Sequence, residues 1–246
     1  EHMTAMGEAG VQRAELDLLK ELNQLGLDEH GPNAALEGRI ETFELAFRMQ
    51  GVAPDVMDLG NETKATTQMY GLDDSVTENF GRQCLLARRF SERGVRFVQC
   101  THSYKWDQHG NLEAAHRNNA REVDTGIAAL ITDLKNRGML EETLVIWGGE
   151  FGRTVYSQGG LSKENYGRDH HPRCFSMWMA GGGVRPGTIY GETDPFGYNI
   201  VRDPVHVHDL QATLLHQLGI DHERLTWKYQ GRRFRLTDVS GEVLKP

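Results

Sequence analysis

Three stretches of the chain carry side chains that could bind a metal ion. The first contains Asp107 and His109, the second contains Glu150 and, three residues later, Arg153, and the third is Arg-Asp-His-His-Pro at residues 168–172. Imidazole and carboxylate ligands together suit zinc or manganese better than calcium. Ligands on loops meet only if the loops fold around the ion, so this pattern is less specific than two histidines one turn apart on a helix. It predicts a divalent metal site.

Several of these residues have two readings. One of His170 and His171 is expected to be a ligand, and both remain open at this point. Arg153 either clamps an anionic group through two guanidinium nitrogens or pairs with a nearby acid. Glu150 taken alone reads equally well as a solvated loop acid. His102 is either functional or a buried, hydrogen-bonded histidine.

Each stretch adjoins a segment that reads as a β-strand. Residues 95–100 alternate in polarity, residues 144–147 are an apolar run stopped by two glycines, and residues 174–180 are closed by three glycines. An amphipathic helix over residues 112–137 separates the first two segments. Strand, helix and strand in this order predict a right-handed crossover in a parallel sheet. Because such sheets bind ligands beyond the carboxyl ends of their strands, we expect the metal site there.

The first part of the chain is predicted to be helical and shows no chemistry. Helices are expected over residues 11–27 and 34–49, with a break at Pro54, a loop-rich linker over residues 55–75, and a further helix that ends at Gly94. We expect residues 1–94 to pack on the sheet, and residues 95–246 to carry the metal site within the same domain.

The last part of the chain is predicted to contain a helix over residues 205–218 and, between residues 227 and 243, either a small hairpin or edge strands. His206, His208 and His216 lie around this helix, where helix capping and surface exposure are the favoured roles. Gly231 and Gly241 are expected at turns.

Bulk properties exclude some classes of partner. The net charge is -8, which argues against binding to a nucleic-acid backbone. No apolar run is long enough to span a bilayer. Cys84, Cys100 and Cys174 lack the spacing of a metal site or a disulfide framework and read as ordinary thiols.

Five segments together resemble the domain-of-unknown-function 1501 family, which belongs to the alkaline phosphatase and sulfatase superfamily. These segments are residues 80–89, 106–110 (Trp-Asp-Gln-His-Gly), 148–154 (Gly-Gly-Glu-Phe-Gly-Arg-Thr), 167–172 (Gly-Arg-Asp-His-His-Pro) and 206–213. The resemblance implies a three-layer α/β/α sandwich with a mostly parallel sheet. It also implies an exported protein that hydrolyses phosphate or sulfate esters of small molecules or polysaccharides.

The resemblance assigns roles to particular positions. Asp107 and His109 look like the first metal-binding pair of the superfamily, and His170 or His171 falls where its last metal-binding histidine precedes a strand. Glu150 stands where the superfamily has the acid of an Asp-His pair. Phe151 replaces the histidine of that pair, which puts a second metal in doubt.

One departure concerns the start of the chain. The superfamily places a metal-binding Asp and the nucleophile early, on a first strand that is not evident here. The chain is therefore expected to be a C-terminal portion that lacks the nucleophile and is incomplete as an enzyme without it. Its uncovered sheet edge is expected to favour self-association. A metal-dependent ester hydrolase is therefore the leading hypothesis. The alternative is a non-catalytic member that binds carbohydrates or anions.

Overall fold

The computed structural model describes residues 9–31, 33–102 and 105–244. The chain divides into two compact units: one ends at Thr66 and includes Glu92–Gly94, and the other comprises Thr67–Ser91 and the chain from Val95 onward. The assignment of residues 1–94 and 95–246 to a single domain stays a prediction.

The helices are α1 (Ala9–His30), α2 (Ala34–Met57), a 3-10 helix (Leu59–Asn61), α3 (Lys64–Met69), α4 (Glu78–Glu92), α5 (Leu112–Asn136) and α6 (Val207–Gln217). The strands are β1 (Val145–Trp147), β2 (Gly152–Arg153), β3 (His170–His171), β4 (Trp178–Ala180), β5 (Glu192–Thr193), β6 (Ile200–Arg202), β7 (Thr226–Tyr229) and β8 (Arg232–Arg235).

The first unit contains a helical hairpin. Asn33 caps α2 by accepting hydrogen bonds from the backbone N–H groups of Ala35 and Leu36, at 3.2 Å each. Arg13, early in α1, donates to both carboxylate oxygens of Glu44, near the middle of α2, at 2.9 and 2.7 Å. This pairing and the short connection make the two helices antiparallel neighbours.

Pro54 does not break the chain where the sequence predicted. It lies inside α2, which continues to Met57, and its carbonyl accepts the hydrogen bond of the Asp58 N–H. A proline so close to the end of a helix removes one backbone hydrogen bond and leaves only one further turn to form. The linker predicted over residues 55–75 is accordingly more helical than expected, because it contains the end of α2, the 3-10 helix and α3.

The core of the second unit is made by helices. Leu85 and Cys84 of α4 and Leu134 of α5 are almost completely buried, as is Tyr70. The close approach of α4 to the Tyr70 backbone depends on glycine, since a Cβ on Gly81 would lie 1.9 Å from the Tyr70 carbonyl oxygen.

A buried ion-pair network crosses this core. Asp133 on α5 lies 3.1 Å from Nε of Arg88 on α4 and accepts hydrogen bonds from the Tyr70 hydroxyl at 3.1 Å and from Arg137 Nε at 2.7 Å. The Arg88 and Asp133 side chains are 3% and 8% exposed. A buried charge is tolerated when an opposite charge lies beside it, so Arg88 and Asp133 depend on one another.

The strands form four separate two-stranded antiparallel ladders, which pair β1 with β4, β2 with β3, β5 with β6, and β7 with β8. The predicted three-layer α/β/α sandwich with a mostly parallel sheet is therefore wrong. Strands β1 and β4 do pair, but in antiparallel register, with Val145 opposite Ala180 and Trp147 opposite Trp178. The described part of the chain contains no parallel pair.

Two physical features explain the error. Parallel neighbours need a crossover connection, usually a helix, whereas the chain between β1 and β4 contains only the short β2–β3 ladder. Strands of a parallel sheet are also buried on both faces, but Ile146 and Trp147 are about 40% exposed.

The predicted strand over residues 95–100 is absent from this described segment. Its alternation is real, yet Phe97 is 75% exposed and no described strand pairs with it. Alternation predicts a strand only where one face is buried against something. The third predicted strand, over residues 174–180, is reduced to β4.

Local predictions for other elements are confirmed. Helix α5 matches the expected helix almost residue for residue, with Gly138 at φ 70° just beyond it. Helix α6 is capped by His206, whose side chain accepts the N–H of His208, while Asp209 accepts the N–H of His206. Strands β7 and β8 form the expected hairpin, and Gln230 and Gly231 both have positive φ at its two-residue turn.

Among the described residues, the structure contains no helix that combines the length and the apolar character required to cross a bilayer.

We expect Asp133→Asn to lower the free energy of unfolding by about 3–5 kcal/mol, because the substitution leaves the buried Arg88 guanidinium without a full counter-charge. Chemical denaturation followed by circular dichroism measures this change. Asp124→Asn, at an exposed position of the same helix, is the matched control and should change stability by less than about 0.5 kcal/mol. Equal stability of the two variants would contradict the role of the network.

Burial, and then the charge of Asp133, raise the pKa of the Tyr70 phenol above its ordinary value. A raised pKa stabilises the fold below the unfolded-state value of about 10, and this stabilisation is lost as the pH rises beyond it. Tyr70→Phe lacks the titrating group. The stability difference between the wild type and Tyr70→Phe should therefore narrow between pH 9 and pH 11, as measured by urea denaturation. A difference that widens over this range would refute the assignment.

Candidate metal centre

Helix α5 holds the loop that carries Asp107 and His109. Asn119 on α5 donates to the Lys105 carbonyl at 2.6 Å. Glu122, one turn later, lies 2.9 Å from Nε2 of His102, whose Nδ1 accepts the Trp106 indole N–H at 2.8 Å. His102 is therefore a hydrogen-bonded anchor of this loop, the second of the two roles open from the sequence.

The short β2–β3 ladder carries the other part of the centre. Its register places Arg153 directly opposite His170. The pairing is extended by Thr154, whose N–H donates to the Asp169 carbonyl at 3.0 Å and whose hydroxyl accepts the Asp169 N–H at 2.9 Å. Thr154 is 2% exposed, so this support is buried.

Backbone contacts join the two parts. The Arg168 N–H donates to the Gln108 carbonyl at 2.9 Å, and the Leu112 N–H donates to the Tyr166 carbonyl at 3.0 Å. A Cβ on Gly167 would lie 2.1 Å from the His109 carbonyl carbon. Only glycine permits this approach, which brings His170 to Asp107 across 63 positions of sequence.

Asp107, His109, His170 and Arg153 form a cluster around one carboxylate oxygen. Asp107 Oδ1 lies 3.0 Å from Nε2 of His109, 2.9 Å from Nε2 of His170 and 2.5 Å from Nη1 of Arg153. Asp107, His109 and His170 each offer one ligand atom, and these atoms lie within 4.8 Å of one another. This group could hold a metal ion.

The surrounding hydrogen-bond donors keep the carboxylate ionised. The hydrogen bond from His170, and then the one from Arg153, lower the pKa of Asp107 to about 2. These interactions favour the fold above the ordinary aspartate pKa and are lost as the pH falls through about 2. Because the Asp107 side chain is 44% exposed, solvent screens these interactions. They therefore matter more for keeping Asp107 in the anionic form that binds a metal ion than for the stability of the fold.

Proton positions on the histidines follow from the same geometry. A carboxylate only accepts hydrogen bonds, so Nε2 of His170 carries the donated proton. A metal ion at this nitrogen would require the other tautomer, with the proton on Nδ1. The other nitrogen of His109, Nδ1, is buried and has no hydrogen-bond partner within the described part of the chain.

Two residues predicted as ligands lie outside the group that the described residues form. Glu150 accepts from Arg153 Nη2 at 3.1 Å and is largely exposed, so it reaches Asp107 only through that guanidinium. His171 is buried, with Nε2 2.6 Å from the Tyr198 carbonyl oxygen and its ring stacked on Tyr198 at 4.2 Å. Of the two adjacent histidines, the structure brings His170 to the cluster.

Phe151 contacts the cluster from the side. Its ring meets the His170 ring edge-on, with centroids 5.1 Å apart, and lies 5.6 Å from the Arg153 guanidinium carbon. It contributes an apolar wall at the position where the resemblance implies a second histidine.

A cleft beside the cluster was not anticipated from the sequence. It has a volume of about 530 Å³ and shares Arg153 with the cluster. The sequence feature that could have pointed to this cleft is Gln108, which lies between the two candidate ligands Asp107 and His109. The other lining residues are Trp106, Leu112, Glu113, His116, Thr154, Val155, Tyr166, Arg168 and Phe196.

Comparison with known proteins places the chain in a family. The model of a family described as a protein of unknown function (DUF1501) matches residues 4–246. Comparison with curated proteins and comparison with solved structures both returned no match.

We expect His170→Ala to weaken zinc uptake by at least about 10–100-fold, because the loss of a ligand should cost no less than the loss of a supporting residue. His171→Ala should bind zinc nearly as the wild type does, since its ring faces Tyr198. Isothermal titration with zinc, together with circular dichroism to verify folding, measures both. Exposed His216→Ala is the control, and equal uptake by His170→Ala and the wild type would exclude His170 as a ligand.

Proposed function

The chain belongs to the DUF1501 family, and we propose that it is a metal-dependent hydrolase of phosphate or sulfate esters. The observation that carries this proposal is the convergence of Asp107, His109 and His170 with Arg153 on one carboxylate oxygen. A cluster of two imidazoles, one carboxylate and one guanidinium combines metal ligands with an anion-binding group. The proposal rests on the site, because the parallel-sheet fold implied by the resemblance is absent from the described residues.

The donor set fits zinc or manganese. Asp107, His109 and His170 would hold the ion, and their nitrogen and carboxylate donors are those that both metals accept. A bound ion of this kind supplies a Lewis acid that polarises the ester oxygen and stabilises negative charge in the transition state. The lowered pKa of Asp107 keeps this ligand anionic at any pH at which the protein would work.

Arg153 is the residue that we assign to the anionic group of the ester. Its two terminal nitrogens are held by Asp107 and Glu150, at 2.5 and 3.1 Å, so the guanidinium is oriented before a ligand arrives. A planar guanidinium matches the paired oxygens of phosphate and sulfate. A metal ion and Arg153 Nη1 compete for the same Asp107 oxygen, so metal uptake would free Nη1 for the ester while Glu150 still holds Nη2.

A non-catalytic, anion- or carbohydrate-binding protein is the second candidate. Phe151 favours it, because an apolar ring stands beside His170 where the superfamily resemblance implies a further ligand. With fewer ligands, the site would still bind an anion through Arg153 and one metal ion. The sulfatase-like assignment and export from the cell remain predictions from the resemblance.

No side-chain nucleophile is assigned in this chain, so water is the attacking group in our proposal. On this basis we expect the zinc- or manganese-loaded chain to hydrolyse 4-nitrophenyl phosphate or 4-nitrophenyl sulfate, with release of 4-nitrophenol as the readout. Arg153→Gln should lower the rate by about 100-fold, as loss of one charge-stabilising donor typically does, while the bound metal is retained. Asp107→Asn should lose both metal and rate.

Arg202→Gln is the matched control, because Arg202 pairs with Glu192 on a separate ladder. Binding of phosphate without turnover would favour the non-catalytic candidate. Turnover that is independent of added metal, or unaffected by Asp107→Asn, would exclude the proposed site.

A further inference from the structure

Two cysteine side chains meet where helix α4 contacts the segment that leads to the metal-binding loop. Cys84 on α4 is 2% exposed, and its thiol is hydrogen-bonded to the thiol of Cys100. Cys100 is partly exposed and donates to the Gln83 carbonyl oxygen at 3.5 Å. Both cysteines belong to the same compact unit. The fold therefore brings together two thiols whose spacing along the chain did not indicate a pair.

Two contacts beside the thiol pair lay this segment along one face of α4. The Thr101 N–H donates to Oε1 of Gln83 at 3.0 Å, and the His102 ring meets the Phe80 ring edge-on with centroids 5.7 Å apart. Positions 80, 83 and 84 of a helix lie on the same face, because they are three and four residues apart. Consecutive residues of the segment thus meet one helix face, and the thiol contact is part of a fixed register.

The two thiols differ in reactivity. The hydrogen bond that Cys84 donates lowers the pKa of the Cys100 thiol, whereas the same hydrogen bond, and then burial, raise the pKa of Cys84. A lower pKa increases the fraction of thiolate, which is the nucleophile in thiol–disulfide exchange. Cys100 is also the more exposed of the two. A soluble disulfide therefore reacts first with Cys100, while Cys84 is shielded by the helical core.

The segment before Cys100 can make the movement that a covalent bond requires. A disulfide bond is shorter than the contact between two thiols, so one of the two chain segments must shift. Residues 96–99 are exposed, with Phe97 at 75%, and no described strand pairs with them. A segment with few buried contacts moves at low cost in free energy. Helix α4 can therefore stay in place while the segment supplies the shift.

We propose that Cys84 and Cys100 form a reversible disulfide bond that ties residues 100–102 to α4, with glutathione disulfide or another low-molecular-weight disulfide as the oxidant. The Cys100 thiolate attacks the soluble disulfide, forms a mixed disulfide and releases one thiol. The Cys84 thiolate then attacks the Cys100 sulfur and releases the second thiol. The two protein thiols are oxidised, the soluble disulfide is reduced, and the two protons of the protein thiols end on the two released thiols.

The bond would restrain the start of the loop that carries the metal-binding residues. Cys100 lies two positions before His102, which is held by Glu122 on α5. A covalent link at Cys100 adds to this anchor, because it removes conformations in which the segment separates from α4. The link is formed without a bound metal ion, so the inference does not rest on the proposed hydrolysis.

The test incubates the full chain with an excess of oxidised glutathione, labels the remaining thiols with iodoacetamide in denaturant and measures intact and peptide masses. Of the three free cysteines, only Cys174 should be labelled, and a linked peptide pair should contain Cys84 and Cys100. Dithiothreitol should restore all three labels. Cys174→Ser is the matched control and should form the same bond. Three labels after oxidation, or a mixture of cysteine pairings in the folded chain, would overturn the proposal.

Single variants test the order of the two steps. Cys84→Ser lacks the second nucleophile, so Cys100 should keep one glutathionyl group. In Cys100→Ser, the buried Cys84 should stay a free thiol. Cys84→Ala repeats the first variant with an apolar side chain, and circular dichroism verifies that all three variants fold. An unmodified Cys100 in both Cys84 variants, or a glutathionyl group on Cys84 in folded Cys100→Ser, would refute the assigned roles.

Hydrogen exchange measures the restraint that the bond places on the segment. The Thr101 N–H is bonded to the Gln83 side chain and exchanges when the segment leaves α4. Oxidation should slow this exchange by about tenfold or more, since the link removes the open conformations. Amides of α6 are the internal control and should exchange equally in the oxidised and reduced chain. Equal exchange of Thr101 in the two forms would overturn the tie between the segment and α4.

Discussion

The close approach of two loop backbones at Gly167 is the constraint on which the candidate site depends. Without a side chain, Gly167 lies against His109, and the flanking hydrogen bonds join Gln108 to Arg168 and Leu112 to Tyr166. Any side chain at this position would push the loops apart. The cluster and the cleft exist because the loops meet there, and α5 and the β2–β3 ladder each hold one of the two loops from behind.

Asp107 organises the side chains that this backbone contact brings together. Two imidazoles and a guanidinium surround a single carboxylate oxygen, so one negative charge organises three cationic or proton-donating groups. In the helical core, Asp133 plays a comparable role toward Arg88, Arg137 and Tyr70, but there the charges are buried. Burial makes the Asp133 network a condition of stability, whereas exposure leaves the Asp107 cluster free to exchange partners with a ligand. The same chemistry thus serves structure in one place and, as we propose, binding in the other.

The site does not need the parallel sheet that the sequence led us to expect. Two-residue strands fix the register of their residues over a short distance. The cluster depends on one register pair of the β2–β3 ladder, Arg153 opposite His170. The rigid support comes from the side-chain hydrogen bond of the buried Thr154 and from the anchoring of His102 and Lys105 on α5. The function proposed for this chain therefore depends on its side-chain geometry more than on its fold class.

The sequence by itself determined the features that follow from local rules. Helix α5, the α6 cap and the β7–β8 turn depend on periodicity, capping and positive-φ preferences, which act within a few residues, and the residue types of Asp107 and His109 marked the loop as a candidate metal site. Only the tertiary structure decided the direction of the β1–β4 pairing, the choice of His170 over His171 and the position of Glu150 behind Arg153. Adjacent residues on a strand point to opposite sides, so which of two histidines faces the cluster depends on register with a distant segment. The cleft beside the cluster arises in the same way, because its walls come from segments that are distant in sequence and meet only in the folded chain.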